Sequence, residues 1–329
     1  MRALFEHGIG CDRAVVVDGQ DLIEAHLELP GVRAGDVWRL RLKRVERGRG
    51  WVDLDGEALI DPLPAGAAEG GLIEAEVVRE PIADPDRRRA PKLRALGCAK
   101  GSVGRVRPGP MLRQRLAARG LGVTDCPLAG PDRIEAAGWS EALEQALCGE
   151  IGFPGGRLLI ERTAAFEAVI DIDGHLPPAD LARAAARATA AAIRRLDLAG
   201  AIVVDMPTVG DPAARREIGD MLDARLPRPF ERTAMNGFGL VQIIRPRLRA
   251  SLMDLVQADP VGIAALQLLR AAEREPGAGV TQLTVAPVVE RWLTSRPALG
   301  QELARRTGRP VRWIAEPALP MSGGHVFVG

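Results

Sequence analysis

The sequence predicts an α/β protein, α+β overall, with a small antiparallel β-barrel near the N-terminus, an α/β layer in the second half and a small α/β domain at the C-terminal end. Three observations carry this. The first ~80 residues hold short alternating runs broken by glycine turns, the pattern of a small all-β unit. From 157 to 244, apolar strand-like runs alternate with long helical runs, the pattern of an α/β layer. From Pro260 the order reads helix, strand, helix, helix, strand. The domains expected are residues 1–94 (strands and barrel), 95–139 (an Arg/Gly/Pro-rich connection), 140–257 (the α/β layer) and 258–329 (the terminal domain).

Residues 13–19, RAVVVDG, are apolar and β-branched and end in an Asp-Gly turn signal. Residues 37–45, VWRLRLKRV, alternate apolar with basic, so one face is buried and the other positive. WVDL (51–54) and LIEAEVV (72–78) continue the strands. Residues 81–135 are rich in Arg, Pro and Gly, with a helix only at 110–119, and read as an irregular connection. A helix at 140–147 follows, with Ser140 as its cap, so the GxSxG-like GWSEA there is a helix start and not a nucleophile elbow. Next come strands at 157–160 and 166–173, a helix at 178–197 and the strand AIVVD (201–205), apolar enough for a sheet buried on both faces. A helix at 212–225 and a strand or helix start at 239–244 close the layer. The tail gives helix 261–274, strand 281–286, helices 287–293 and 299–307, and strand 311–314.

The formal net charge is +1, so no overall field draws in a polyanion. The local balance differs. Residues 79–119 hold twelve Arg or Lys and three acids, a plausible phosphate-tracking surface or else a solvated loop. Lys43, Lys92 and Lys100 are the only lysines among 44 basic residues. Arginine stays charged and forks onto phosphates. Arg39, Arg41, Lys43 and Trp51 supply basic and aromatic groups suited to single-stranded nucleic acid; Trp38 falls at a core position. Cys11, Cys98, Cys126 and Cys148 lack CxxC or metal-ligand spacing and read as reduced thiols of a cytoplasmic protein. Neither a signal pattern nor a membrane-spanning apolar run is expected.

Asp171 and Asp173 lie two apart on one strand, so they share a face, and Asp205 closes the next. Functional groups of open α/β sheets collect at such carboxyl ends. Like charges held close need a cation, and hard oxygen ligands select Mg²⁺ or Mn²⁺. Strand-end aspartates also serve as turn residues and caps. His175 follows the aspartates and could touch a phosphate or simply turn the chain; His7, His26 and His325 have no evident partners.

GGRLLIERTAAFEAVIDIDG (155–174), RRLDLAGAIVVDM (194–206) and NGFGLVQIIRPRL (236–248) occur in that order. Together they resemble the catalytic elements of the ribonuclease E/G family. VVVDGQDLIEAHLELPG (15–31) resembles its opening strand pair, and the stretch to about Arg94 resembles its S1/OB-type RNA-binding barrel, with VVREPI (77–82) as the closing strand. VAPVVERWL (285–293) resembles a segment of its small domain.

The resemblance implies a Mg²⁺-dependent (or Mn²⁺-dependent) endoribonuclease that cleaves single-stranded RNA with water and leaves 5′-phosphates. Asp171 and Asp205 then hold the metal and Asp173 assists, standing where the family has Asn. Trp51 takes the place of a base-stacking Phe. Trp51, Arg41 and Lys43 contact RNA on the barrel, and Arg245 and Arg247 contact phosphates near the metal. Thr208, Gly237 and Gln242 depart from the family pattern. The 5′-phosphate sensor and ribonuclease-H-like insertion have no counterpart. The Cys-Pro-x-Cys zinc link is absent too, so no zinc and no zinc-linked tetramer are expected, and a homodimer stays open. Two rivals follow: an RNA-binding accessory protein whose catalytic site has decayed, and a metal-dependent nuclease acting on DNA.

Overall fold

The computed structural model describes residues 1–84, 88–128 and 130–329; Asp86 and Arg87 of the basic block lie outside the described residues. The chain forms two compact units. One comprises Met1–Pro30, Leu116–Ser140 and Leu255–Gly329, the other Gly31–Arg115 and Glu141–Asp254. The fold is mixed α/β, with eight α-helices and several open sheets among the described residues.

In the first unit, the strands Gly122–Asp125, Arg2–His7, Asp12–Asp18 and Asp21–Glu28 pair in that order. A three-stranded sheet places Thr281–Val285 between Val311–Ala315, which is parallel to it, and the antiparallel His325–Val328. The parallel pair needs a crossover, which the helices Pro287–Thr294 and Pro297–Thr307 supply. The core joins Ile9 and Cys11 to Leu266, Leu269, Leu283 and Leu303. Beside it Glu6, fully buried, accepts from Arg13 at 3.2 Å and also pairs with Arg270 and Arg274. Burial pulls the Arg270 guanidinium down to about 10.

The second unit contains two large sheets. The seven-stranded sheet runs in the order Gly104–Arg107, Val37–Arg41, Leu72–Arg79, Lys92–Ala99, Glu57–Ile60, Arg49–Asp53, Arg44–Glu46. Leu40, Leu42, Val52, Ile60, Ile73 and Leu93 form its core. A short ribbon, Ile82–Ala83 against Arg88–Arg89, lies in the chain between two of its strands. The ladder is open, where a closed barrel was expected. Only Leu42 and Lys43 separate the Val37–Arg41 strand from Arg44–Glu46, which pairs at the other end of the order. The nominal 95–139 connection also differs from expectation. Lys92–Ala99 is an eight-residue interior strand, and a register shift between Ala95 and Gly97 disrupts the alternation that would have revealed it.

The six-stranded sheet runs Glu150–Phe153, Gly156–Glu161, Ala168–Gly174, Gly200–Asp205, Leu240–Arg245, Glu231–Arg232. Only Ala168–Gly174 and Gly200–Asp205 pair in parallel, and the helix Pro178–Arg195 connects them. Leu158, Ile160, Ile170, Ile202, Val204 and Ile243 are buried along one face, and the helix packs there through Leu181, Ala185, Ala186 and Ile193. The other face keeps Asp171, Leu240, Gln242 and Ile244 exposed, so the sheet is not buried on both faces as AIVVD suggested. Five helices begin with Pro at their first turn, at 178, 212, 260, 287 and 297. Asp211 and Asp259 cap two of them through the backbone amides of Ala213, Ala214 and Gly262.

A cluster of three acids and three arginines ties the second unit together. Arg247 pairs with Asp84 at 3.1 Å, with Asp254 at 3.0 Å and with Glu167. Arg162 reaches Asp254 at 2.9 Å, and Arg89 reaches Glu167 at 3.1 Å and Asp84.

Burial pushes the Asp84 and Asp132 carboxyls up, but hydrogen bonds outweigh it: Arg89 and Arg247 donate to Asp84, and the Glu135 amide and Arg13 donate to Asp132. Both therefore lie below the ordinary carboxylate range. A depressed carboxylate stabilises the fold above its unfolded pKa of about 3.9, and that contribution disappears as pH falls through the lower folded value. The urea midpoint should thus drop steeply below about pH 4. In the Asp132→Asn variant the drop should be shallower; an unchanged acid slope in that variant would contradict the assignment for Asp132.

Candidate functional site

The parallel register sets Asp171 directly opposite Asp205. Their backbones are therefore about 4.8 Å apart. Each follows a fully buried residue, Ile170 and Val204, so both carboxylates leave the sheet on the face away from the Pro178–Arg195 helix and both are exposed. Asp171 accepts from the Ile172 amide at 2.9 Å. No hydrogen bond or ion pair holds the Asp205 carboxylate among the described residues.

Glycines bring the neighbouring hairpin close. A Cβ on Gly156 would lie 2.4 Å from the Asp173 carbonyl oxygen, and one on Gly174 would lie 2.6 Å from the Gly155 carbonyl oxygen. The Gly-Gly of the sequence motif is therefore a steric requirement of this strand end. It lets Arg157 pair opposite Asp173 in the ladder. Arg157 holds Asp173 at 3.0 Å and Glu150 at 3.1 Å. The hydrogen bonds that Arg157 donates to Glu150 and Asp173 raise its pKa above the ordinary value.

Asp173 is thus tied to an arginine, about 7 Å along the strand from Asp171, and does not complete a three-ligand cluster. Among the described residues no three His, Cys, Asp or Glu side chains converge as a metal cage. Asp171 and Asp205 remain as two hard oxygen donors with no arginine between them. His175 is exposed just beyond, its amide donating to Gly155 at 3.2 Å.

Beside Asp205, residues 236–239 form a braced turn. The Asn236 Oδ1 accepts from the amides of Phe238 at 2.9 Å and Leu240 at 3.0 Å. The Thr208 hydroxyl donates to the Phe238 carbonyl at 3.4 Å, and the Met206 amide to the Gly239 carbonyl at 3.3 Å. Gly239 has φ +100, and a Cβ there would lie 2.0 Å from the Met206 carbonyl oxygen. The Phe238 side chain stands 81% exposed on this turn.

Arg245 and Arg247 lie elsewhere. Leu240 pairs with Asp205, whereas Arg245 pairs with Gly200, five residues and about 17 Å away along the strand. Arg245 donates to the Leu198 carbonyl, and Arg247 is buried among Asp84, Glu167 and Asp254. The expectation that both contact phosphates beside the aspartates is corrected: register puts them at the opposite end of the sheet, and local carboxylates neutralise Arg247.

On the seven-stranded sheet, Arg41 and Lys43 are exposed on either side of buried Leu42. Arg41 donates to the Gly70 carbonyl at 2.7 Å, and Lys43 pairs with Asp53. Trp51 is half-buried with the Arg44 guanidinium 4.0 Å from its ring centroid. Next to it, a cavity of about 600 Å³ is lined by Trp51, Leu59, Arg79, Arg89 and Lys92 among others. Trp38 is also half-buried, with Arg105 at 5.8 Å. Arg44, Arg157 and Phe238 were not singled out from sequence. The pairings of Arg44 with Trp51 and of Arg157 with Asp173 become visible only through strand register, and the Asn-Gly turn signal before Phe238 was its one hint.

No family model and no curated protein matches the chain. Among solved structures, one described as an exosome complex RNA-binding protein is similar at 15% identity over 60% of this chain and 98% of that one, with a TM-score of 0.16. At that score the likeness bears on neither fold nor function. No single helix among the described residues is long and apolar enough to cross a membrane.

Two classes of variant should separate in urea unfolding. Asp171→Asn and Asp205→Asn should stay within about 0.5 kcal/mol of the wild type or be more stable, because each removes an exposed carboxylate facing another. Arg247→Ala should lose about 3–5 kcal/mol, because it strands buried carboxylates. The reverse ranking would contradict this division between site and scaffold.

Proposed function

We propose that this chain is a Mg²⁺-dependent endoribonuclease for single-stranded RNA, built along ribonuclease E/G lines with its seven-stranded sheet in the role of an S1/OB-type barrel. One observation carries the reading: two strand-end aspartates face each other across a parallel rung, both exposed and neither paired with an Arg or Lys side chain among the described residues. Two carboxylates, with the remaining positions left to water and phosphate, suit Mg²⁺ or Mn²⁺. Glu150, Asp171, Asp173 and Asp205 outnumber Arg157 at this end of the sheet, so a phosphate approaches only with a cation present.

Asp171 and Asp205 would hold the ion. Asp173, fixed by Arg157, adds negative potential and can orient water. When bound, Mg²⁺ lowers the pKa of water and screens the phosphoryl oxygens. Water attacks phosphorus and the bond to the 3′ oxygen breaks; the proton lost by the water passes through solvent to that oxygen, so the upstream fragment ends in a 3′-hydroxyl and the downstream fragment keeps a 5′-phosphate. Trp51, Arg41 and Lys43 bind RNA on the outer face of the seven-stranded sheet, by stacking and by charge. This assignment includes no zinc and no zinc-joined tetramer; where copies associate, they do so as a homodimer, and the setting is cytoplasmic.

A second reading has its own support. Thr208, Gly237 and Gln242 stand where the resemblance leads one to expect Asp, Arg and Glu. These losses favour an RNA-binding accessory protein without cleavage.

A labelled, unstructured RNA incubated with Mg²⁺ or EDTA decides between them. Expected are internal cuts that require Mg²⁺ or Mn²⁺ and end in 5′-phosphates, with kcat reduced at least about 100-fold in Asp171→Asn and Asp205→Asn while RNA affinity persists. Tight binding without cleavage in either metal would select the accessory protein, and equal cutting of a matched DNA would broaden the substrate class.

A further inference from the structure

We propose that Phe238 is a base-stacking platform, holding the nucleobase beside the scissile phosphate. The inference rests on the nuclease reading above and assigns that site a specific contact with RNA. Phe238 is 81% exposed, the most exposed large apolar side chain among the described residues. Water contact at that level gives a phenyl ring no stabilising role in the fold. Yet its backbone is held on both sides, by the Asn236 side chain, the Thr208 hydroxyl and the Met206 amide. Gly239 admits no side chain at all against the Met206 carbonyl. An exposed ring on a braced turn is pre-organised for a flat partner, with little entropy left to lose.

Position supplies the rest. Leu240, two residues on, is the ladder partner of Asp205, and the turn bonds directly to Met206. The ring therefore stands at the end of the sheet that carries the aspartate pair. A protein surface docked on Phe238 would lie at the strand end that carries Asp205, where an exposed carboxylate disfavours an apolar cover. A nucleotide brings both parts needed: a base with a π-face for the ring, and a phosphate that meets the carboxylates through a cation. Stacking tolerates any base, so the platform positions RNA without imposing a sequence.

The test uses the full-length protein and a short RNA with one mapped cut. Stacking of this kind changes affinity by about 5- to 150-fold on removal to alanine. Phe238→Ala should raise KM by that factor and leave kcat nearly unchanged, and Phe238→Leu should behave similarly. Phe238→Tyr and Phe238→Trp should restore it. An abasic nucleotide next to the cut should raise KM for the wild type, and Phe238→Ala should add nothing further on that RNA. Wild-type KM in Phe238→Ala would overturn the proposal, as would a loss unaffected by the abasic site. So would a change of sedimentation coefficient with unaltered RNA affinity, which would make Phe238 a contact between copies. Should the wild type bind the RNA without cutting it, the nuclease reading fails alone; equilibrium binding of the same oligomers then decides Phe238 by the same pattern.

Discussion

The second unit depends on the meeting of Arg89, Arg162 and Arg247 with Asp84, Glu167 and Asp254, most of it out of contact with water. Asp84 directly follows Ile82–Ala83 and Arg89 lies in Arg88–Arg89; Arg162, Glu167 and Arg247 lie just beyond the ends of three strands of the six-stranded sheet, and Asp254 is in the first turn of the Leu252–Ala258 helix. Three positive and three negative groups leave no net charge to solvate, and most lone pairs and donors are occupied. A buried network of this kind gains little over an apolar contact, but losing one member strands the others. It ties the short ribbon to the strand ends of the six-stranded sheet and to the helix that follows. Asp254 serves twice, since its carboxylate also accepts from the Ser251 amide while the Ser251 hydroxyl accepts from the Asp254 amide.

With that frame set, the aspartate-bearing end of the six-stranded sheet is governed by sterics. A parallel rung places Asp171 against Asp205, and Gly156 and Gly174 allow the adjacent hairpin to close on the same end. The helix Pro178–Arg195 covers the reverse face. The result is a sheet edge where charge is concentrated and arginine is scarce, while the opposite end of the same strands is where Arg245 and Arg247 are held. A single β-sheet thus separates an acidic, exposed end from an electrically neutral anchoring end.

What could be read from the sequence followed periodicity. FEAVIDID and AIVVD announced strands that end in aspartate, and the Pro-initiated helices of the second half carried their own start signals. The Lys92–Ala99 strand was hidden because its bulge breaks the alternation and its Lys and Arg residues resemble a solvated loop. Arg247 looked like a phosphate ligand because its partner Asp84 is 163 residues away in sequence, and no local pattern encodes such a pair. Phe238 sits in a turn, where periodicity has nothing to say, and its exposure depends on Asn236 and Thr208 bracing the backbone. Which face of each strand the helices cover was likewise invisible, since Val203 and Val204 are equally apolar in sequence but only Val204 is fully buried.

The first unit draws its strands and helices from three separated stretches of chain, and its core sets Ile9 and Cys11 against Leu266, Leu283 and Leu303. On a ribosome adding about 5–20 residues per second, the opening hairpin waits tens of seconds for those partners. The second unit, encoded in between, has all its residues by Asp254 and can finish first. The chain is therefore born with its earliest apolar strands, Val15–Val17 among them, unprotected while its middle folds, and the interval falls when the growing chain is most open to mispairing with another copy. Synthesis speed thus sets how long those strands stay uncovered.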